Sequence, residues 1–239
     1  MNFIMKFLIL FLILSPEVFA EVRLAKIYAI GKTDSPALFN QRTETKEDGS
    51  GVTHETALIT DLSGVPVLTE ESDYRGDQLI HQLVKKLQTQ EAYEVVVNAK
   101  KVTFRSYRLQ DGKLSPKDPE KSEDLTANFI TGPVLEPFLR NHWQEVLQGD
   151  TVHVRFGVLE ISESVGFKFW EYAQTKIGDK PYIQIRMKPS SIFISMAVSS
   201  IDLFFDPTQK KLMRYKGRTP LKVQSNGKWV PLDAEIIYQ

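Results

Sequence analysis

From Thr151 to Lys188 the chain alternates apolar and polar residues almost without a break. A period of two is the mark of half-buried strands, because successive side chains leave a strand on opposite faces. In "TVHVRFGVLE", Val152, Val154, Phe156 and Val158 share one face, and His153, Arg155 and Gly157 the other. "VGFKFWEY" sets Val165, Phe167 and Phe169 against Lys168, Trp170 and Tyr172, and "YIQIRMK" sets Ile183, Ile185 and Met187 against Gln184, Arg186 and Lys188. Short polar joints separate these runs: "SES" at 162–164, "IGDKP" at 177–181 and "DPTQKK" at 206–211. That spacing predicts an antiparallel meander. Earlier hairpin signals are "EDGSG" at 47–51, "DLSGVP" at 61–66 and "NAKK" at 98–101.

One segment breaks the rule convincingly. In "PVLEPFLRNHWQEVLQG", residues 133–149, Leu135, Phe138, Leu139, His142, Trp143, Val146 and Leu147 follow the i, i+3, i+4, i+7 stripe of an amphipathic helix. Pro137 costs an internal hydrogen bond if the helix starts at 133, so its regular part is expected nearer Glu136. "QLIHQLVKKLQ", 78–88, also has apolar residues at helical spacing, but a meander accommodates it more easily as a strand. The run 111–128, "DGKLSPKDPEKSEDLTAN", has two prolines, many charges and little to bury. It reads as a polar loop, either a functional flap or disordered. The fold class expected is mainly β (α+β): a large curved antiparallel sheet or half-barrel with one main amphipathic helix packed on it.

Residues 1–20, "MNFIMKFLILFLILSPEVFA", have the pattern of a secretory signal peptide. Lys6 precedes an apolar run from Phe7 to Leu14, Pro16 ends it, and Val18 and Ala20 stand at positions −3 and −1 of a cleavage site. The run is shorter than the roughly 20 residues a spanning helix needs. Cleavage would leave a single β-rich domain, 21–239, beginning at Glu21, with no integral membrane segment and a periplasmic or secreted location. The sequence has no cysteine, so its stability has to come from core burial rather than disulfides. Thirty basic residues balance thirty acidic ones, without the basic surplus a nucleic-acid binder normally shows.

The greasiest stretch beyond the N-terminus is "KPSSIFISMAVSSIDLFFD", 188–206. Serines interrupt it and Asp202 closes it, so it is too short and polar to span a bilayer. Ile192, Ile194, Met196 and Val198 form one large apolar side, and the helix stripe from Leu135 to Leu147 is its natural partner. Two readings follow: a close-packed core, or a cavity for an apolar ligand lined by Leu135, Phe138, His142, Ile194, Met196 and Val198. Met196 suits a wall that adapts to more than one chain.

Together with "TDLSGVP", the order "GPVLEPFLRNHWQEVLQGDTVHVRFGV", "VGFKF", "IRMKPSS", "LFFD" and "LMRYKGRT" resembles a family of uncharacterised exported bacterial proteins. The resemblance implies no activity and no catalytic residues. At fold level such chains are similar to the half-barrel carriers that ferry lipoproteins across the Gram-negative periplasm, which hold acyl chains between a curved sheet and helices. Fold alone does not fix function.

Little else in the sequence carries chemistry. "KIYAIGKT", 26–33, ends like a phosphate-binding loop but has Lys26 where the leading glycine belongs, and it reads as a strand. No G-x-S-x-G elbow is present. His142 and Glu145 are three apart and could meet one ion only with further ligands; a hydrogen-bonded core histidine is the simpler reading. Glu70, Glu71 and Asp73 could pair as carboxylates or form a solvated strand face. Arg214, Lys216 and Arg218 share one strand face, as a phosphate site or as protection against edge pairing. The expectation is a non-catalytic protein that binds a lipid, an acyl chain or a lipidated partner, with no cofactor and no metal. The rival is an envelope assembly protein with a fully packed core that acts through another envelope protein; an enzyme ranks third.

Overall fold

The computed structural model describes residues 20–191 and 199–239. Seven strands run in sequence first: β1 (Ala20–Ala29), β2 (Phe39–Glu47), β3 (Thr53–Asp61), β4 (Pro66–Arg75), β5 (Gln78–Lys86), β6 (Glu91–Val97) and β7 (Lys101–Gln110). Three short strands follow, β8 (Lys113–Pro116), β9 (Lys121–Asp124) and β10 (Phe129–Ile130), then helices α1 (Leu135–Asn141) and α2 (Trp143–Leu147). The chain ends with β11 (Val152–Val158), a 3₁₀ turn (Leu159–Ile161), β12 (Glu163–Ile177), β13 (Lys180–Pro189), β14 (Ile201–Phe205), β15 (Leu212–Ser225) and β16 (Lys228–Tyr238).

Among the described residues these sixteen strands form one sheet, ordered β10-β11-β12-β13-β14-β15-β16-β1-β2-β3-β4-β5-β6-β7-β8, with β9 also on β7. Every pairing is antiparallel except the short one between β10 and β11. The hairpins have the turn chemistry anticipated at the first two of the three early sites. Asp48 accepts the backbone N–H of Ser50 and Val52 at 2.8 and 3.0 Å, and Asp61 that of Ser63 and Val65, both at 2.9 Å. Gly64 closes the second turn at φ 86°, where a side chain would be strained.

The alternation predicts the buried face correctly. Val152, Val154, Phe167, Phe169, Ile183, Ile185 and Met187 all enter one hydrophobic cluster, which also takes Val95, Val102 and Phe104 from β6 and β7. Strands from both halves of the chain therefore curl around the same core, and α1 and α2 sit inside the curl. Val134, Leu139 and Val146 have no exposure at all, and the Trp143 ring meets Phe205 edge-on at 5.5 Å. A second cluster, with Ile27, Phe39, Ile59, Leu68, Val84, Leu221 and Leu232, lies further along β1 to β5.

The hydrogen-bonded path ends at β10 and at β8, so the sheet is open, and side chains bridge the seam. Phe129 of β10 meets Phe104 of β7 at 6.4 Å, edge to face. Lys121 of β9 reaches Glu163 of β12 at 3.0 Å, and the buried Lys86 of β5 pairs with Glu160 in the 3₁₀ turn.

Two expectations change, the single helix and the featureless loop, while the strand expected at 78–88 is present. The helix is two short ones: its ladder breaks at His142, whose backbone (φ −96°, ψ 17°) leaves helical geometry while the apolar stripe continues across the break. Regular structure starts at Leu135, so Pro137 falls in the first turn, where a missing N–H costs nothing. The polar run 111–128 is not a featureless loop, since β8 and β9 both pair with β7. Polar residues hold them there: Arg105 donates to Glu120 at 2.6 Å, Ser106 to Asp118 at 2.9 Å, and Thr103 meets Ser122 at 3.0 Å. Segment 78–88 is a strand over Gln78–Lys86, and a bulge explains its helical look. Asp73 pairs with His81 but Tyr74 with Leu79, so Ile80 is the extra residue and the buried positions become 79, 82, 84 and 86.

Trp143 is 3% exposed in the middle of the helical stripe. Trp143→Ala is expected to destabilise the fold by about 3–5 kcal/mol. A urea-unfolding midpoint equal to that of the unaltered protein would show that the helices contribute little to the core.

Candidate functional site

Two features on the inner side of the sheet depart from simple packing. The first is a cleft of about 670 Å³ at the end plugged by α1, between the β4–β5 turn, the β6–β7 turn and residues 125–129. Its floor is apolar: Leu79, Val97, Phe129 and Phe138 line it, and all four belong to the main core or pack on it. Its rim is polar, with Arg75, Asp77, Asn98 and Asn128. Asn141 at the end of α1 donates to Asp77 at 2.9 Å, and Asn128 donates to the His153 carbonyl at 3.1 Å, so both rims are tied to the scaffold.

Of the predicted ligand residues, Phe138 reaches this cleft. Leu135 is buried in the core behind it. His142 stacks on Phe138 with ring centroids 4.3 Å apart and bonds Glu145 at 3.0 Å. Ile194, Met196 and Val198 lie outside the described residues, as does Ile192.

The second feature is a polar layer between the two hydrophobic clusters. Cross-strand register places Arg23, Thr43, Ala57 and Glu70 in one row and Thr45, Glu55, Ser72 and Gln82 in the next, all on the inner face. Glu55 accepts from Tyr74 Oη at 3.2 Å and Thr45 Oγ1 at 3.4 Å, and Gln82 Nε2 donates to Glu70 at 2.7 Å. Arg23 pairs with Glu136 of α1 at 2.8 Å and lies over the Tyr238 ring at 3.9 Å.

Burial governs the protonation of both inner acids. It lifts Glu55 to about 7, helped by the nearby charges of Glu70 and Glu136 and opposed by the Tyr74 and Thr45 hydrogen bonds. Burial also raises Glu70, against the Gln82 bond and the closeness of Ser72. Even so, the Ser72 hydroxyl makes no bond of proper geometry, and Gln82 Oε1 and two guanidinium nitrogens of Arg23 are likewise buried without partners.

The carboxylate cluster anticipated at 70–73 is divided by the pleat. Glu70 points inward, while Glu71 pairs outside with Lys85 at 3.2 Å and Asp73 with His54 at 2.6 Å. The basic row on β15 is matched by acids on its own face: Arg214 bonds Glu235 at 2.9 Å, and Arg218 pairs with Asp233. Glu55 and Arg23 escaped the sequence reading, yet a signal for Glu55 was present. Glu55 stands in phase with Ala57 and Ile59, so a charge occupies the buried phase of an alternating strand.

No family model matches the chain, and no curated protein matches it. Among solved structures it is similar to a β-barrel-like protein of the domain of unknown function DUF1849 from Brucella abortus, with a TM-score of 0.41 at 10% identity, over 93% of this chain and 95% of that one. It is also similar to a DUF1329 family protein from Desulfovibrio piger, with a TM-score of 0.31 at 7% identity, over 94% of this chain and 85% of that one.

An unfolded Glu55 ionises near 4.5 and the folded one near 7, so the folded state holds a proton that the unfolded state has released between those values. Stability should fall as pH rises through that window, leaving a cost of roughly 2–3 kcal/mol above it. Glu55→Gln is expected to recover most of that at pH 8 and less than about 1 kcal/mol at pH 5. Urea titrations of both proteins across this range test it; parallel curves would contradict it.

Proposed function

We propose that this protein is a non-catalytic binder of an apolar ligand, a lipid, an acyl chain or the lipid-modified segment of a partner, working after export in the periplasm or outside the cell. The cleft of about 670 Å³ is the observation that supports this reading most. It has the size range and make-up of a small-molecule site, an apolar floor with a few polar groups at the rim. Phe138 and Leu79 take part in both floor and core, so an apolar chain entering there would extend the core rather than meet a polar wall. Phe138, with Leu135 and His142 behind it, is the helix's share of the proposed wall; the share assigned to Ile194, Met196 and Val198 rests on the sequence alone. Export rests on the pattern of residues 1–20, and β1 begins at Ala20, so a chain cut after Ala20 keeps all but one residue of that strand.

The rival role in envelope assembly has its own support. Val22 and Leu24 on β1 and Leu58 on β3 are 48%, 47% and 39% exposed on the outer face, as a protein-contact surface would require.

Ala127 is an exposed residue lining the cleft, so Ala127→Trp fills ligand volume without touching the core. The variant is expected to unfold at the same urea concentration as the unaltered chain and to bind a fluorescent fatty-acid probe at least about tenfold more weakly, since roughly 1.4 kcal/mol of lost contact suffices. Equal probe binding by the two proteins, or none by either, would remove the cleft as the ligand site and leave the assembly role.

A further inference from the structure

We propose that the polar layer on the inner face of β3, β4 and β5 is a second binding site, independent of the apolar cleft, which takes a compact organic cation: the primary ammonium group of a small amine. Four oxygen acceptors surround the position. Glu55 and Ser72 are direct cross-strand partners, Ser72 and Gln82 are the next pair, and Glu70 is two residues from Ser72 on the same face of β4. Ser72 and Gln82 are each 3% exposed, and Ser72 Oγ and Gln82 Oε1 have no hydrogen-bond partner. Buried polar atoms without partners are costly and uncommon in folded proteins, and here two of them sit in the same row as Glu55, next to the row of Glu70.

The chemistry of the ligand follows from that set. An ammonium group offers three N–H donors and no acceptor, which complements a ring of carboxylate, amide and hydroxyl oxygens. Among the described residues no three His, Cys, Asp or Glu side chains converge as metal ligands would. The side chains next to the acids are small, Ala57 beside Glu70 in its row and Thr45 beside Glu55 in the next. Solvent reaches the layer, because Glu55 and Glu70 are only half-buried by accessible surface. The Arg23 charge does not oppose the cation, since Glu136 already neutralises it at 2.8 Å.

A bound ammonium ion also relieves the crowding of like charge. The groups facing Glu55 are Glu70 and Tyr74 on β4, Thr45 on β2 and Glu136 on α1, with Arg140 of α1 near Tyr74, and Arg23 and Tyr238 beyond them. A cation between Glu55 and Glu70 allows both to ionise. Binding therefore releases protons and tightens as pH rises toward 8.

Ethanolamine is the probe, and ethylene glycol, of the same length and uncharged, is its control. The alanine methyls of the chain from Glu21 to Gln239 are labelled with carbon-13, and Ala57 reports from the middle of the layer, with Ala92 and Ala234 as reporters of intact packing. At pH 8 the Ala57 resonance should move saturably with ethanolamine and not with ethylene glycol, and the affinity should weaken at least about tenfold per pH unit below pH 7, as release of one proton or two requires. Glu55→Gln and Glu70→Gln should each weaken ethanolamine binding at least tenfold with Ala92 and Ala234 unmoved. The proposal is overturned if ethylene glycol produces the same shift, if both glutamine variants bind ethanolamine as tightly as the unaltered chain, or if no saturable shift occurs at pH 8. Fatty-acid probe binding at the cleft should survive Glu55→Gln, so loss of this site and loss of the cleft are read separately.

Discussion

The helical stripe lodged inside the curl of the sheet is the contact on which the rest of this structure depends. Among the described residues the sixteen-stranded sheet has an open seam and no closed ring of hydrogen bonds to hold its curvature. Its inner face must instead be gathered around something apolar, and α1 and α2 supply it with Leu135, Phe138, Leu139, Trp143 and Val146. Those side chains share one cluster with residues of β6 and β7 and of β10 to β14, and within it Phe129 of β10 meets Phe104 of β7. Of the seam's ion pairs, the exposed Lys121–Glu163 pair adds little to stability.

The same plug creates the two unusual places. Where Phe138 stops short of the β4–β5 and β6–β7 turns, the core opens into the cleft. On the side where α1 offers Glu136 and Arg140 rather than apolar residues, β1 to β5 answer with Arg23, Glu55, Glu70 and Gln82. A core that could have been apolar throughout thus contains carboxyl groups at a cost in stability. Departures from local consistency of this kind mark functional or strained positions in natural proteins, and the half-buried acids stand beside unpartnered polar atoms rather than in a closed network.

Much of the fold was legible because alternation survives wherever one face is buried. Val152 to Val158 and Ile183 to Met187 show the inner phase without any knowledge of partners. The bulge at Ile80 blurs that pattern in β5, because one extra residue turns a spacing of two into a spacing of three and imitates a helix, although the strand expected there is present. The strands β8 and β9 were hidden for another reason: their pairing with β7 rests on Arg105–Glu120 and Ser106–Asp118, contacts between polar residues that hydropathy does not register. Phe138 was recognisable as an inward-facing residue from its stripe. The cleft it joins was not, since Arg75, Asn98 and Asn128 come from three separate connections whose proximity only the tertiary fold determines.

The claim that the apolar interior opens to accept a ligand is tested most directly by native mass spectrometry of the protein purified, without detergent, from the cells that make it. The account predicts the mass of a chain beginning at Glu21 together with an adduct of lipid size that organic extraction removes. A bare chain under the same conditions, unchanged by extraction and by exposure to total lipid from those cells, would contradict it.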